Sequence, residues 1–229
     1  MDTERVNRPY VTLTYAQSLD GSIASRRGEP LAISGPESLR LTHQLRAEHD
    51  AILVGIGTVL ADDPQLTVRL VPGESPQPVV LDSQFRFPLE SRLMGNFKKP
   101  WIVTTKVVSP KIETDSPRVD RQEMLESNGA RVLAVRANAE GRVDLTQMLE
   151  VLSALGIRSL MVEGGAQVIG AFLQARLVDE VVITLAPRFI GGLRALETPL
   201  PVPFPRLHTP TMTPHGSDWV VRGKLIYED

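Results

Sequence analysis

A glutamate and two glycines stand together where an apolar run ends, in residues 162–167, VEGGAQ. The pattern predicts a strand, a tight turn and a helix. Such a turn places backbone N–H groups and the positive helix end at the carboxyl edge of a sheet, where phosphates bind. Glu163 would be poorly placed there for packing and well placed to accept a substrate hydroxyl or amine. The alternative is a turn that holds no ligand, and the dinucleotide fingerprint G-x-G-x-x-G is absent.

A second stretch, residues 54–69, combines small, acidic and basic residues in VGIGTVLADDPQLTVR. Its glycines predict a small-residue turn that a ligand can approach closely. Asp62 can accept hydroxyl groups and Arg69 can bind an anion. Asp63 precedes a proline, which is typical of a turn, and a Mg²⁺ site on the two aspartates would need further carboxylates or a phosphate nearby. Arg46 and Arg69, each typical of a solvated surface when taken singly, could together hold the phosphate of a sugar-phosphate ligand.

The composition excludes several classes of protein. The 229 residues contain no cysteine, which excludes disulfides, a thiol nucleophile, thiolate metal sites and the zinc-deaminase signature. Lys+Arg number 25 against 27 Asp+Glu, so we expect no nucleic-acid surface. The four histidines show no ligand spacing, and we interpret them as structural and predict no metal site. The polar N-terminus and the absence of a membrane-length apolar stretch predict a cytoplasmic protein without a membrane partner.

The elements that would position these groups alternate along the chain. Apolar runs and capped periodic segments predict strands at 10–15, 51–55, 79–83, 101–105, 131–135, 159–163, 180–186 and 219–227, and helices at 34–49, 121–128, 144–155 and 166–175. Ser34 is the expected N-cap of the first helix. Residues 187–214 are rich in proline and glycine and are expected to be largely irregular. The alternation predicts a single α/β domain with a mainly parallel central sheet and helices on both faces.

Several motifs in one order make the sequence resemble a known family. They are LTYAQSLDG at 13–21, the stretch 55–69, LDSQFR at 81–86, MVEGG at 161–165, GAFL at 170–173, LVDE at 177–180 and APRFIGG at 186–192. The chain resembles the reductase of riboflavin biosynthesis, which occurs as the C-terminal domain of bacterial deaminase–reductases and as a standalone archaeal and fungal enzyme. The resemblance covers about residues 8–226 of the domain predicted over 1–229.

The resemblance implies a dihydrofolate-reductase-like fold, NADPH as hydride donor and a homodimer. It also implies a ribosylamino-pyrimidine 5′-phosphate as substrate, whose ribose is opened and reduced to a ribityl chain. Cofactor contacts are implied for Ala16, Thr58, Asp62, Ser83, Gly164, Gly165, Ala166, Gln167, Val168, Ile169, Gly170 and Ala171. Substrate contacts are implied for Arg46, Leu66, Arg69 and Glu163.

In the mechanism that we expect, the two arginines anchor the 5′-phosphate, the glycine turn seats the cofactor pyrophosphate, and Glu163 holds the pyrimidine. Glu163 and Asp62 are the candidate catalytic groups for proton delivery, with water as the alternative. Three positions depart from the fused enzymes, which commonly carry a Ser and a Trp in place of Pro30 and Ala32 and a Lys in place of Thr14.

The substrate stays open between the 2,5-diamino-pyrimidinone and the deaminated uracil. A reductase of the same fold that acts on a pterin or on a secondary-metabolite heterocycle is a second hypothesis. A non-catalytic nucleotide-binding module is a third.

Overall fold

The computed structural model describes residues 8–29, 31–105 and 117–228, and of residues 117–120 the backbone alone. The strands are β1 Tyr10–Ser18, β2 Ser22–Ala24, β3 Ala51–Gly55, β4 Gln77–Leu81, β5 Trp101–Thr105, β6 Arg131–Val135, β7 Ser159–Gly164, β8 Glu180–Ala186, β9 Leu193–Arg194, β10 Arg206–His215 and β11 Asp218–Ile226. The helices are α1 Pro36–Glu48, α2 Ile56–Asp62, α3 Pro117–Ser127, α4 Leu145–Ala154 and α5 Ala166–Gln174, with a 3₁₀ helix at Arg92–Gly95.

One sheet of nine strands organises the described chain, in the order β10-β11-β8-β1-β7-β3-β4-β5-β6. The seven strands from β8 to β6 are parallel, and β11 and β10 continue the sheet antiparallel. Strands β2 and β9 form a separate two-stranded ribbon that is joined to the end of β1 by hydrogen bonds between Ser18 and Ser22. The late strand β7 therefore sits between the early strands β1 and β3, and the helices that follow β3 and β7 begin side by side.

Both faces of the sheet are covered, because successive strand residues point to opposite sides. Leu53 packs in one buried cluster with α4 and α5, whereas Ile52 and Val54 pack in the other with residues of α1, α2 and α3, among them Leu45 and Leu125. Near-continuous apolar strands are what a doubly covered parallel sheet requires. The predicted α/β class, with a mainly parallel sheet between helices, is confirmed.

Two local predictions are wrong, and a third holds only in part. The stretch 187–214 is largely irregular, as expected, but it contains β9 and most of β10. The prolines of β10 are tolerated because β10 is an outer strand of the sheet and its register shifts between His208 and Thr211. The small-residue turn predicted after Gly55 is helix α2. Its weak helix formers are held by the burial of Ile56 and Val59, since packing stabilises short helices more than propensity does. The N-cap of α1 is Gly35 instead of Ser34, with no side-chain cap.

Candidate active site

Several of the predicted site residues, among them Glu163, Gly165 and Thr58, lie at the carboxyl edge of the parallel sheet. In open α/β sheets, ligands bind there, where neighbouring strands lead to opposite faces. Strand β7 leads through Gly164 and Gly165 into α5, and its neighbour β3 leads through Gly55 into α2. Strand β1 flanks β7 on the other side, and Ala16 lies near its carboxyl end, half-buried.

Gly164 and Gly165 form the turn between β7 and α5. Gly164 has a φ of +95°, and a Cβ there would lie 3.1 Å from Cδ1 of Ile169, so a larger residue would be strained. The N–H of Gly165 donates to Oγ1 of Thr58 at 3.0 Å, and the Gly164–Gly165 peptide is cis. Thr58, an expected cofactor contact, thus joins the start of α2 to the turn before α5.

The first turn of α5 offers main-chain donors. In the described part of the chain, the N–H groups of Ala166 and Gln167 have no protein partner, as is usual for a helix start without a side-chain cap. Val168 and Ile169 are buried in the core instead. Of the segment expected to contact the cofactor, the described geometry therefore presents mainly the glycine turn and the first helical turn.

Arg46 and Glu163 form a two-pronged ion pair beside this turn. Nε and Nη2 of Arg46 donate to Oε1 and Oε2 of Glu163 at 2.7 and 2.8 Å, and Nη1 donates to the Thr67 carbonyl at 3.1 Å. The side chains are 11% and 16% exposed. Burial lowers the pKa of Arg46, but the charge and hydrogen bonds of Glu163 raise it overall. The sequence brings both residues into the site but gives no sign that they bind each other.

Arg69 is held through its main chain by a buried histidine. The N–H of Arg69 donates to Nδ1 of His43 at 2.9 Å, and Nη1 donates to Oγ1 of Thr67 at 2.5 Å. Burial, and then the charges of Arg46 and Arg69, lower the pKa of His43 to about 4. His43 is therefore a neutral acceptor near neutral pH, which fits the structural role predicted for the histidines.

The remaining residues of the 54–69 stretch divide between core, turn and surface. Leu66 has a φ of +53° and a side chain that is 2% exposed in the core, which leaves its main chain to meet a substrate. Asp63 ends α2 in the left-handed conformation and accepts hydrogen bonds from the loop at Ser91, as its turn role predicts. Asp62 lies at the last position of α2, where the residue is exposed overall, but neighbouring atoms partly desolvate its carboxyl group and raise its pKa. No described contact joins Asp62 to Glu163.

Two aspartates that shape loops at this edge were missed as site-building residues. Asp82 is fully buried and accepts N–H bonds from Gln84 and Phe87, which shapes the loop that carries Ser83. Asp20 accepts hydrogen bonds from two neighbouring serine hydroxyls and from two N–H groups of the loop after β8, including that of Gly191 at 2.8 Å. Asp followed by a short polar or glycine turn is the sequence signal for such loop-shaping hydrogen bonds.

The three positions that differ from the fused enzymes lie in different surroundings. Thr14 is buried in β1 and Ala32 is exposed, whereas Pro30 lies outside the described residues.

Over the residues that the structure describes, no group of three or more His, Cys, Asp or Glu could hold a metal ion. No helix in those same ranges is long and apolar enough to cross a membrane.

Comparison with known proteins decides the family. The model of the RibD C-terminal domain matches residues 9–221. This chain belongs to the RibD C-terminal domain family. A protein of Archaeoglobus fulgidus named 2,5-diamino-6-ribosylamino-4(3H)-pyrimidinone 5′-phosphate reductase is 40% identical over 195 residues, which cover 81% of this chain and 83% of the relative. A Debaryomyces hansenii protein of the same name is 41% identical, over 81% of this chain and 77% of its own.

Solved structures agree with this RibD assignment. RibD of Acinetobacter baumannii superposes with a TM-score of 0.81 at 26% identity, covering 97% of this chain and 59% of that one. The yeast riboflavin biosynthesis reductase Rib7 gives a TM-score of 0.74 at 32% identity, over 98% and 93% of the two chains. The predicted reductase family, and an α/β fold shared with solved riboflavin-biosynthesis reductases, are confirmed.

Proposed function

We propose that this RibD-family protein is an NADPH-dependent reductase that converts the ribosylamino group of a pyrimidine 5′-phosphate into a ribitylamino group in riboflavin biosynthesis. The observation that carries the proposal is the carboxylate of Glu163, fixed by Arg46 directly before the glycine turn and the first turn of α5. A fixed acceptor beside a phosphate-binding helix start suits an aminopyrimidine next to a dinucleotide.

The sequence identities to named relatives support the diamino-pyrimidinone as the substrate. The archaeal and yeast proteins named for that compound are 40% and 41% identical to this chain. The longer riboflavin biosynthesis protein RibD of Aquifex aeolicus is 36% identical, and the match covers 53% of its length. We therefore propose the diamino form over the deaminated uracil.

The residues at the turn fit a dinucleotide phosphate. The N–H groups of Ala166 and Gln167 are free to bind an anion, and Gly165 leaves main chain accessible where a Cβ would lie 3.4 Å from Oγ1 of Thr58. NADPH would supply the hydride that reduces C1′ of the opened sugar. Ala16 and the Ser83 loop, with Asp62, stay predicted contacts for the rest of the cofactor.

On the substrate side, we assign Arg46 to hold Glu163. Its Nε, Nη1 and Nη2 groups all donate within the protein, so its charge is compensated before a ligand binds. Each carboxylate oxygen of Glu163 retains acceptor capacity, which can take N–H groups of the pyrimidine. The 5′-phosphate is then left to Arg69, and a phosphate contact by Arg46 remains a prediction.

Proton delivery is proposed for Asp62, Glu163 or water. The pKa of Asp62 is raised by burial, which is the direction that a proton donor requires. The main task of the protein in this reaction is placement, with the reacting carbons held about 3–3.5 Å apart.

The decisive experiment measures cofactor oxidation by the wild-type protein with the ribosylamino-diaminopyrimidinone phosphate, its deaminated counterpart and a dihydropterin, each with NADPH and NADH. We expect oxidation with the first compound and NADPH, and a product heavier by two hydrogens. Glu163→Gln should lose turnover, whereas Glu150→Gln on the exposed side of α4 should keep it. Oxidation with the dihydropterin alone, or wild-type kinetics in Glu163→Gln, would overturn the proposal.

We also propose that the protein is a homodimer that works in the cytoplasm. Strand β10 is one of the two outer strands of the described sheet, and most of its residues are exposed. Outer strands of this kind are natural pairing surfaces. Sedimentation equilibrium should give twice the chain mass, and a monomer at micromolar concentration would contradict the proposal.

A further inference from the structure

The loop that carries the 3₁₀ helix Arg92–Gly95 is tied to the segment that ends at Arg69. Oδ1 of Asp63 accepts the Arg92 N–H at 2.9 Å and the Ser91 hydroxyl at 2.8 Å. Nδ2 of Asn96, on the other side of the helix, donates to the carbonyl of Gln65 at 2.8 Å. The two ends of the 3₁₀ helix are thus bound to the start of the segment 63–69.

This tethering brings a second arginine towards Arg69. Partial burial, and then the charges of Arg46 and Arg92, lower the pKa of Arg69, so the three cations are within electrostatic reach. Arg46 is neutralised by Glu163. In the described chain neither Arg69 nor Arg92 forms an ion pair with a carboxylate, and both are exposed. Asp63 binds the main chain of Arg92 instead of its guanidinium.

The two arginines without an ion pair in the described chain, Arg69 and Arg92, have the charge that suits a doubly charged anion. A phosphate monoester carries about −1.5 to −2 charges at neutral pH, and guanidinium groups bind phosphate oxygens through paired N–H donors. We propose that Arg92 and Arg69 together bind the 5′-phosphate of the substrate, so that Arg92 selects phosphorylated over unphosphorylated substrate. This inference rests on the proposed function and adds to it a residue from a loop outside the motifs.

The test compares Arg92→Ala, Arg92→Lys and the control Arg158→Ala. Arg158 is exposed just before the amino end of β7, which is the opposite edge of the sheet. Steady-state kinetics are measured with the phosphorylated pyrimidine and with the same compound lacking its phosphate. Binding of ribose 5-phosphate is measured by calorimetry at low and high salt, because that readout needs no turnover.

Loss of one charged hydrogen-bonding group corresponds to about a ten- to hundredfold loss of affinity. We expect Arg92→Ala to raise KM for the phosphorylated substrate by about tenfold, because exposed charges are screened, with kcat within about twofold. Activity on the unphosphorylated compound and the Arg158→Ala kinetics should be unchanged. Arg92→Lys should recover part of the affinity, since a single ammonium replaces the fork.

The outcomes separate this inference from the proposed function. Wild-type reduction of the phosphorylated pyrimidine with unaltered KM in Arg92→Ala would overturn the role of Arg92 and leave the reductase intact. Absence of reduction, together with ribose 5-phosphate binding that Arg92→Ala weakens, would remove the proposed reaction and keep the anion site. Equal binding by wild type and Arg92→Ala would refute the site in either case.

Discussion

Removing one partner of the Arg46–Glu163 pair should destabilise the fold as well as the site. The two side chains are 11% and 16% exposed and joined by bonds of 2.7 and 2.8 Å. Breaking such a pair leaves a charge that is neither solvated nor compensated, at a cost of about 3–5 kcal/mol when fully buried. The residual exposure places our expectation near the lower limit, about 3 kcal/mol for Arg46→Met. In a chain of this length that lowers Tm by roughly 6–12 °C.

The assay is urea unfolding of Arg46→Met, Glu163→Gln and the double variant. The cycle isolates the coupling between the two positions. Because the double variant leaves no stranded charge, we expect it to be more stable than the sum of the single losses by about 2 kcal/mol. Arg27→Met is the matched control, since Arg27 also binds both oxygens of a carboxylate, that of Glu197, at 3.0 Å. That pair is exposed and its loss should hardly be measurable.

Two results would refute the reasoning about this pair. Additive single losses would mean that Arg46 and Glu163 do not depend on each other. A loss in Arg46→Met no greater than that in Arg27→Met would mean that solvent reaches the pair and that Arg46 does not fix the carboxylate.

Two further predictions concern His43 and Gly55. Burial lowers the pKa of His43 from 6.5 to about 4. The stabilisation that neutral His43 gives to the folded state is therefore complete above pH 6.5 and is lost as pH falls towards 4. Urea unfolding should show about 1–2 kcal/mol of that loss between pH 7 and pH 5. His43→Gln should remove this pH dependence of the free energy of unfolding. If the dependence persisted in His43→Gln and disappeared when the exposed His208 was changed to Gln, the role assigned to His43 would be wrong. A Cβ on Gly55 would lie 2.8 Å from Cγ2 of Val168, so Gly55→Ala should cost about 1–3 kcal/mol. Gly57→Ala, which meets open space in the same region of α2, should be at least as stable as the wild type, because alanine favours a helix more than glycine does.

The local pattern was enough to predict most strands and the edge that carries the site. The strands 51–55, 101–105, 131–135 and 180–186 have the bounds that the sequence predicts, because each is a short apolar run flanked by residues that end a strand or a helix. The glycine turn after β7 was predictable for the same reason.

Long-range arrangement was not predictable from the pattern. Strand β7 pairs with β1 from Tyr10↔Ser159 onwards, and no local signal places a late strand between two early ones. That insertion brings Glu163 to Arg46, 117 residues apart in the chain. The same limit applies to α2, where contacts of Ile56 and Val59 override weak propensity, and to Arg92, which lies in no motif and enters through the bond to Asp63.

The two sides of the site have different physical support, and this predicts where specificity can change. The proposed cofactor side consists of a glycine turn and a helix start above a packed core, where Val168 leaves no space for a larger residue at Gly55. The proposed phosphate end of the substrate site consists of loops held by a few hydrogen bonds, from His43 and Asp63 among others. Substitutions in a packed core disturb the whole fold, whereas loop substitutions act locally. A change of substrate should therefore come from the loops around Arg69 while cofactor binding stays intact.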